Sequence, residues 1–215
     1  MFVDKGVAVA LSMRHWNGNQ LCAVDVETTG LDPKIHEIWQ ICILPLDSNG
    51  ELRRGIMPFY TTLKMENPHI IDTGNIRISK DTICEVQLRG MDKEDAKDAL
   101  LEWMKKLELP YTKFGEPKHI IPLAHNFAFD RAFLQAWLGD MFSQVFDYRS
   151  MDTMIIAQYL NDRAAVHAEP PPYQKLNLRW LSTMINAPIE QAHDALHDCV
   201  ATAAVYRGFL KLGLF

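Results

Sequence analysis

The hydrophobic period of the chain changes several times, and each change predicts an element. Leu21 to Val26 is apolar apart from Asp25 and stops at Glu27-Thr28-Thr29-Gly30, which predicts a buried strand ending in a turn. Glu37 to Leu46 and Met57 to Met65 are rich in Ile, Leu, Phe, Tyr and Thr. They predict two more strands in a meander, with a turn at Asp47-Ser48-Asn49-Gly50. Asp92 suits the N-cap of a helix to about Leu107, because Ala96, Leu100, Trp103 and Leu107 recur at helical spacing. His119 to Ala124 reads as a short strand, and Phe127 to Leu138 as a helix with Phe129, Phe133 and Trp137 on its apolar side. Asp152 predicts the cap of a helix through Tyr159. Leu176 to Ile185 predicts another, ended by Asn186-Ala187-Pro188, and a last helix runs from about Asp194 to Leu210. Glu169-Pro170-Pro171-Pro172 reads as an extended surface loop. Strands come first, then helices alternating with strands, with no repeat or linker. That order predicts one mixed α/β domain behind an N-terminal extension over residues 1–19.

Composition narrows function more than fold. The 215 residues are 48% hydrophobic and 23% charged, enough to build a core and to exclude disorder as the main state. The formal net charge is −5 and the pI about 5.9, so no bulk cationic field holds a polyanion. Such a ligand needs a local patch or bound metal. Cys22, Cys42, Cys84 and Cys199 are far apart and form no C-x-x-C pair, which argues against structural zinc and disulfides and for reduced thiols. Gly6 to Leu11 is shorter than a signal core, and no run approaches the ~20 apolar residues of a membrane span. The expectation is a soluble, cytoplasmic protein with no membrane partner.

Three segments carry candidate chemistry. In Asp25-Val26-Glu27 the strand alternation puts both carboxylates on one face, about 7 Å apart, with Val26 turned into the packing. Two such charges at the end of a buried strand are costly unless neutralised, and hard divalent cations would neutralise them. In His125 to Leu134, Asp130 falls in the first turn of a helix, where the dipole favours it. It can also be a third carboxylate aimed at the strand ends. In His193 to Thr202, His193 and Asp198 are five residues apart. On a continuous helix they would diverge by about 140°. They can meet at one site only if His193 lies in the loop before the helix, which Asp194 as N-cap permits. His193 and His197 have the i, i+4 spacing of a zinc pair, but no Glu follows His193 as in H-E-x-x-H. His197 is read as a surface residue.

Taken in order, the segments resemble the DEDDh branch of the DEDD 3′→5′ exonucleases, the group that includes the proofreading subunit of bacterial DNA polymerase, ribonuclease T and oligoribonuclease. The first motif is met by Asp25, Glu27, Thr28, Gly30 and Leu31. The second is met by Asn126, Phe129, Asp130 and Leu134, and the third by His193, Ala195, Leu196, Asp198, Ala201 and Thr202. Asp152-Thr153 resembles the opening of the family's helix between the second and third motifs. The resemblance covers about residues 20–210 and implies a single ribonuclease H-like domain, a mixed central sheet flanked by helices.

It also implies a function. Asp25, Glu27, Asp130 and Asp198 would hold two divalent cations, Mg²⁺ or Mn²⁺, with His193 as general base for the attacking water. Thr28, Gly30, Leu31, Asn126 and Phe129 would bind the terminal nucleotide: Gly30 through a positive φ and close approach, Leu31 as a wedge, and Phe129 by stacking unless core packing claims it. Arg131, Lys175 and Arg179 are candidate phosphate contacts. The expected substrate is a single-stranded 3′ end, with DNA favoured over RNA. Proofreading would need a separate polymerase partner. RNA 3′-end trimming is the alternative. A non-catalytic nucleic-acid-binding protein on this fold would be expected to lack a carboxylate or the histidine, and all five are present.

Overall fold

The computed structural model describes residues 19–74, 76, 78–187 and 194–212. The expected extension, Asn19 apart, and Pro188 and His193 lie outside the described residues. Among the described residues, five strands form one sheet: β1 (Gln20–Thr28), β2 (Ile38–Pro45), β3 (Phe59–Thr62), β4 (Ile120–Ala124) and β5 (Met151–Asp152). The spatial order is β3-β2-β1-β4-β5. The β1–β2 and β2–β3 pairs are antiparallel, as the meander predicts, and β1–β4 and β4–β5 are parallel. The sheet is therefore mixed, with β1 at the junction of its two halves. The turn at Asp47 forms as expected: its side chain accepts the Asn49 and Glu51 N–H groups, and Gly50 adopts φ +73°.

Seven α-helices are described: α1 (Lys80–Arg89), α2 (Lys93–Lys105), α3 (Phe127–Leu138), α4 (Phe142–Val145), α5 (Thr153–Val166), α6 (Leu178–Met184) and α7 (Ala195–Lys211). One side of the sheet is closed by α2, α3 and α4. There Val24, Val26, Ile41 and Ile43 join Leu100, Trp103, Phe133 and Leu134 in one buried cluster. The predicted apolar spacing of α2 supplies three of its buried residues, Ala96, Leu100 and Trp103. The other side is covered by α7, whose Ala195, Cys199 and Ala203 recur every four residues against Ala23, Cys42, Leu44 and Leu123. These small side chains let α7 lie close to β1 and β2, and Cys199 Sγ reaches the Cys42 carbonyl at 3.6 Å. The Pro170–Pro172 loop is pinned rather than loose. Asn161 exchanges two hydrogen bonds with the Tyr173 backbone, and the Tyr173 ring meets Phe209 edge-on at 5.6 Å. No helix among the described residues is long and apolar enough to cross a membrane.

Candidate active site

The β1–β2 register pairs Asp25 with Cys42 and Glu27 with Gln40. Paired residues of an antiparallel ladder point to one side, so the carboxylates share the face that α7 covers. Val26 points the other way, into the core, as the alternation predicts. Asp194 caps α7, its carboxylate accepting the Leu196 and His197 N–H groups at 3.1 and 3.2 Å. Asp198 follows in the first turn. The carboxylate oxygens of Asp25, Glu27 and Asp198 then lie within 4.8 Å of one another, with all three side chains half-buried.

Asp130 approaches differently. It is 4% exposed in the first turn of α3, and its Oδ1 accepts the Val26 backbone N–H at 3.1 Å. The second-motif carboxylate is thus tied to the middle of Asp25-Val26-Glu27 from the helix on the opposite face. It stands beside the three-carboxylate group rather than within it.

The electrostatics follow from burial and crowding. Burial raises the Asp25 carboxyl well above the usual range, and the charges of Asp130, Glu27 and Asp198 push it further. Burial, then Asp198 and Asp194, push Glu27 up to about 7. Burial also raises Asp130, although the Val26 N–H offsets part of that. Near neutral pH the metal-free protein therefore keeps protons on this cluster. A divalent cation would displace them, and the hard oxygen donor set fits Mg²⁺ or Mn²⁺.

Around this centre the nucleotide-binding candidates take distinct roles. Leu31 is 52% exposed beside the strand end. Thr28 is buried, and its hydroxyl donates to the Gly30 carbonyl at 2.7 Å, so it shapes the turn. Gly30 does not have the expected positive φ. Glycine is required there for space: a Cβ would sit 2.2 Å from Cδ2 of the His36 ring, which lies against it. Asn126 is exposed and left-handed, at φ 69° and ψ 52°, just before α3. The Phe129 ring lies 5.0 Å from Phe133 and is partly buried against the core, so packing takes most of it. Arg131 lies over the Phe142 ring and Lys175 over the Trp180 ring, while Arg179 is exposed.

Several supporting contacts go beyond the motif reading, although Asp152 itself was expected as a helix cap. Buried Asp152 caps α5 through the Met154 N–H and also accepts the Asn126 and Phe127 N–H groups, so one carboxylate orders two helix starts. His125 Nδ1 lies 2.9 Å from Thr153 Oγ1, and burial lowers its pKa, which keeps the ring neutral. His197 is no simple surface residue: its Nδ1 lies 2.9 Å from the Asp194 cap. A polar residue amid apolar ones was the available signal for Gln40, which interrupts Ile38-Trp39-Gln40-Ile41-Cys42.

Comparison with known proteins agrees with this geometry. A family model described as Exonuclease (RNase_T) matches residues 22–206. A PolC-type DNA polymerase III of Listeria welshimeri is 26% identical over 203 residues, covering 94% of this chain but 12% of that protein. The chain thus spans about an eighth of that relative's length. An oligoribonuclease of Buchnera aphidicola is 28% identical over 147 residues, covering 66% of this chain and 74% of that protein. Among solved structures, the nuclease domain of 3′hExo, a DEDDh family member bound to rAMP, superposes with a TM-score of 0.59 at 18% identity. It covers 93% of this chain and 96% of that one. Escherichia coli exonuclease I with a dT13 oligonucleotide gives 0.61 at 18% identity, over 88% of this chain and 40% of that one. The sheet order and flanking helices are those of the ribonuclease H-like fold these structures share. With a family match spanning most of its length, the chain belongs to the exonuclease family.

Proposed function

We propose that the chain is a metal-dependent 3′→5′ exonuclease acting on single-stranded 3′ ends and releasing nucleoside 5′-monophosphates. The observation that carries this reading is the meeting of Asp25, Glu27 and Asp198 within 4.8 Å at the end of β1, with Asp130 held beside them. Asp25, Glu27 and Asp198 would hold the divalent cations, with Asp130 completing the set. When bound, the cations activate a water and stabilise the leaving oxygen of a phosphodiester. Deprotonated and without cations, the crowded carboxylates would repel a polyanion, so the cations would have to displace the protons and neutralise the cluster for the substrate to settle. His193, five residues before Asp198, takes the proton of the attacking water, a role suited to an imidazole titrating near neutral pH. Leu31, standing out from the turn that Thr28 and Gly30 form, and Asn126 at the head of α3 would contact the terminal nucleotide. Phe129 would offer the edge of a ring otherwise held in the core.

DNA is the favoured substrate, and a polymerase the proposed partner. The first rests on the PolC-type relatives and on the oligonucleotide complex of exonuclease I, the second on the PolC-type relatives. One observation favours RNA instead: a relative of which the chain covers 74% is named an oligoribonuclease. Matched DNA and RNA oligomers labelled at the 5′ end decide the matter, digested with Mg²⁺, Mn²⁺ or EDTA. The expected result is a ladder of shortening products that retain the label, with no reaction in EDTA. Early release of the label as a mononucleotide from long substrate, or undiminished digestion in EDTA, would contradict the proposal. The faster of the two substrates assigns the sugar.

A further inference from the structure

A glutamine in the middle of an apolar strand is costly unless both ends of its amide are satisfied. Gln40 of β2 is 6% exposed, and its bonds all lead to one place. Its Oε1 accepts the Ala195 N–H at 3.0 Å. Its Nε2 donates to the Tyr60 hydroxyl oxygen at 2.9 Å and to Asp194 Oδ2 at 3.3 Å. Only an oxygen can accept the Ala195 N–H, which dictates the amide's orientation. Tyr60 of β3 closes the set: its hydroxyl donates to Asp194 Oδ2 at 2.7 Å. Burial alone would raise the Asp194 carboxyl, but the bonds from Tyr60 and His197 outweigh it and hold the group below its usual range.

These bonds are separate from the carboxylate group described above, yet through Gln40 and Tyr60 they converge on the cap and first residue of α7. Asp198 lies three residues beyond Ala195 in the same helical turn, and Gln40 is the cross-strand partner of Glu27. The geometry points to Gln40 and Tyr60 as positioning residues for the third motif. They anchor the start of α7 to the same sheet face that carries Asp25 and Glu27, and so set where the Asp198 carboxylate stands relative to those two. The oxygen of an ordinary cap satisfies helix N–H groups within its own segment. Here a neighbouring strand supplies the acceptor, which ties the helix to the sheet in distance and not only in direction. Catalytic constellations need their groups held to within about 0.5 Å, a tolerance that a free helix end does not provide.

This inference rests on the metal-site reading, and the test separates the two. Binding of Mn²⁺ alone is measured by calorimetry on the full chain, together with kcat and KM on a labelled oligonucleotide. Gln40→Met should weaken Mn²⁺ binding by about 10-fold or more, in the range found when partners of metal ligands are removed. It should lower kcat while KM for the oligonucleotide stays near wild type. Tyr60→Phe removes only a hydroxyl. It should move both readouts in the same direction by less, and it decides the question if Gln40→Met does not fold. Asn161→Ala, which removes a pair of hydrogen bonds remote from the cluster, should lower Tm yet leave Mn²⁺ affinity at the wild-type value. Wild-type Mn²⁺ affinity and kcat in both folded clamp variants would overturn the positioning role while leaving the metal site standing. Failure of the wild-type chain itself to bind Mn²⁺ would overturn the metal reading, and the clamp with it.

Discussion

On one side of β1, Val24 and Val26 lie in a buried cluster with Ile41, Ile43, Leu100, Trp103 and Phe133. On the other, Asp25 and Glu27 share their face with Cys42 and Gln40 and stand beside Asp198. The same nine-residue strand makes both surfaces. The first is built of large apolar side chains, with the Asp130 carboxyl tied to the Val26 N–H at its edge, and each fully buried apolar one contributes about 1.5–3 kcal/mol. The second packs small residues of α7 around carboxyls that burial pushes upward. The apolar face holds the molecule together, while the acidic face, once deprotonated, costs stability that a bound cation can return. Perturbed carboxyls at strand ends are the pattern expected of a site kept for chemistry.

The largest effect should come from breaking the acidic face. Asp25→Asn removes the carboxylate at the centre of the cluster, and with it several kcal/mol of charge stabilisation provided through the metals. That corresponds to about 10³-fold or more in kcat. In EDTA the same variant should unfold at a higher temperature than wild type, because it relieves a buried repulsion. Nuclease assays and calorimetric scans of one preparation check both halves, and a variant that is inactive but less stable in EDTA would break the comparison. On the apolar face the signs reverse. Leu100→Ala opens a cavity under α2 and should cost about 2–5 kcal/mol in denaturant unfolding. The Mn²⁺ affinity of the folded protein should not change. A loss of metal affinity there would mean that the two faces are coupled more tightly than the packing implies.

Much of this architecture was legible in the sequence, for reasons that differ between elements. The strand β1 announced itself because its apolar run is interrupted only where the carboxylates stand, and α2 because its buried positions keep a strict helical period. The caps Asp152 and Asp194 were readable because an acidic residue ahead of a helical segment has few other uses. Helix α1 was not seen: only Val86 of its ten residues is buried, so it has almost no apolar stripe. Its signal was local, a Ser79 cap whose oxygen accepts the Thr82 N–H. Strand β5 is two residues long, too short for any period, and α5 continues to Val166, beyond the expected end at Tyr159. Motif spacing placed Asp25, Glu27 and Asp198 together. It could not reveal that Asp130 would be pinned to the Val26 N–H, or that Gly30 yields its space to His36. Both depend on contacts between segments far apart in the chain, which local pattern does not encode.

The contrast between the faces can be tested most directly by thermal unfolding across pH, with and without Mn²⁺. A carboxyl whose folded pKa is raised adds stability that is fully present below its unfolded pKa and is lost as pH rises through the folded value. Glu27, at about 7 when folded, and Asp130, at about 8, place that loss between roughly pH 5 and 8, and the raised Asp25 acts in the same direction. The metal-free protein should therefore lose stability from pH 5.5 to 8.5. Millimolar Mn²⁺ should raise its Tm, and by more at pH 8.5 than at pH 5.5, because fewer protons then compete for the site. A Tm that ignores Mn²⁺ at pH 8.5, or a metal-free protein that grows more stable over this range, would contradict the assignment of Asp25, Glu27 and Asp198 as the metal-binding centre.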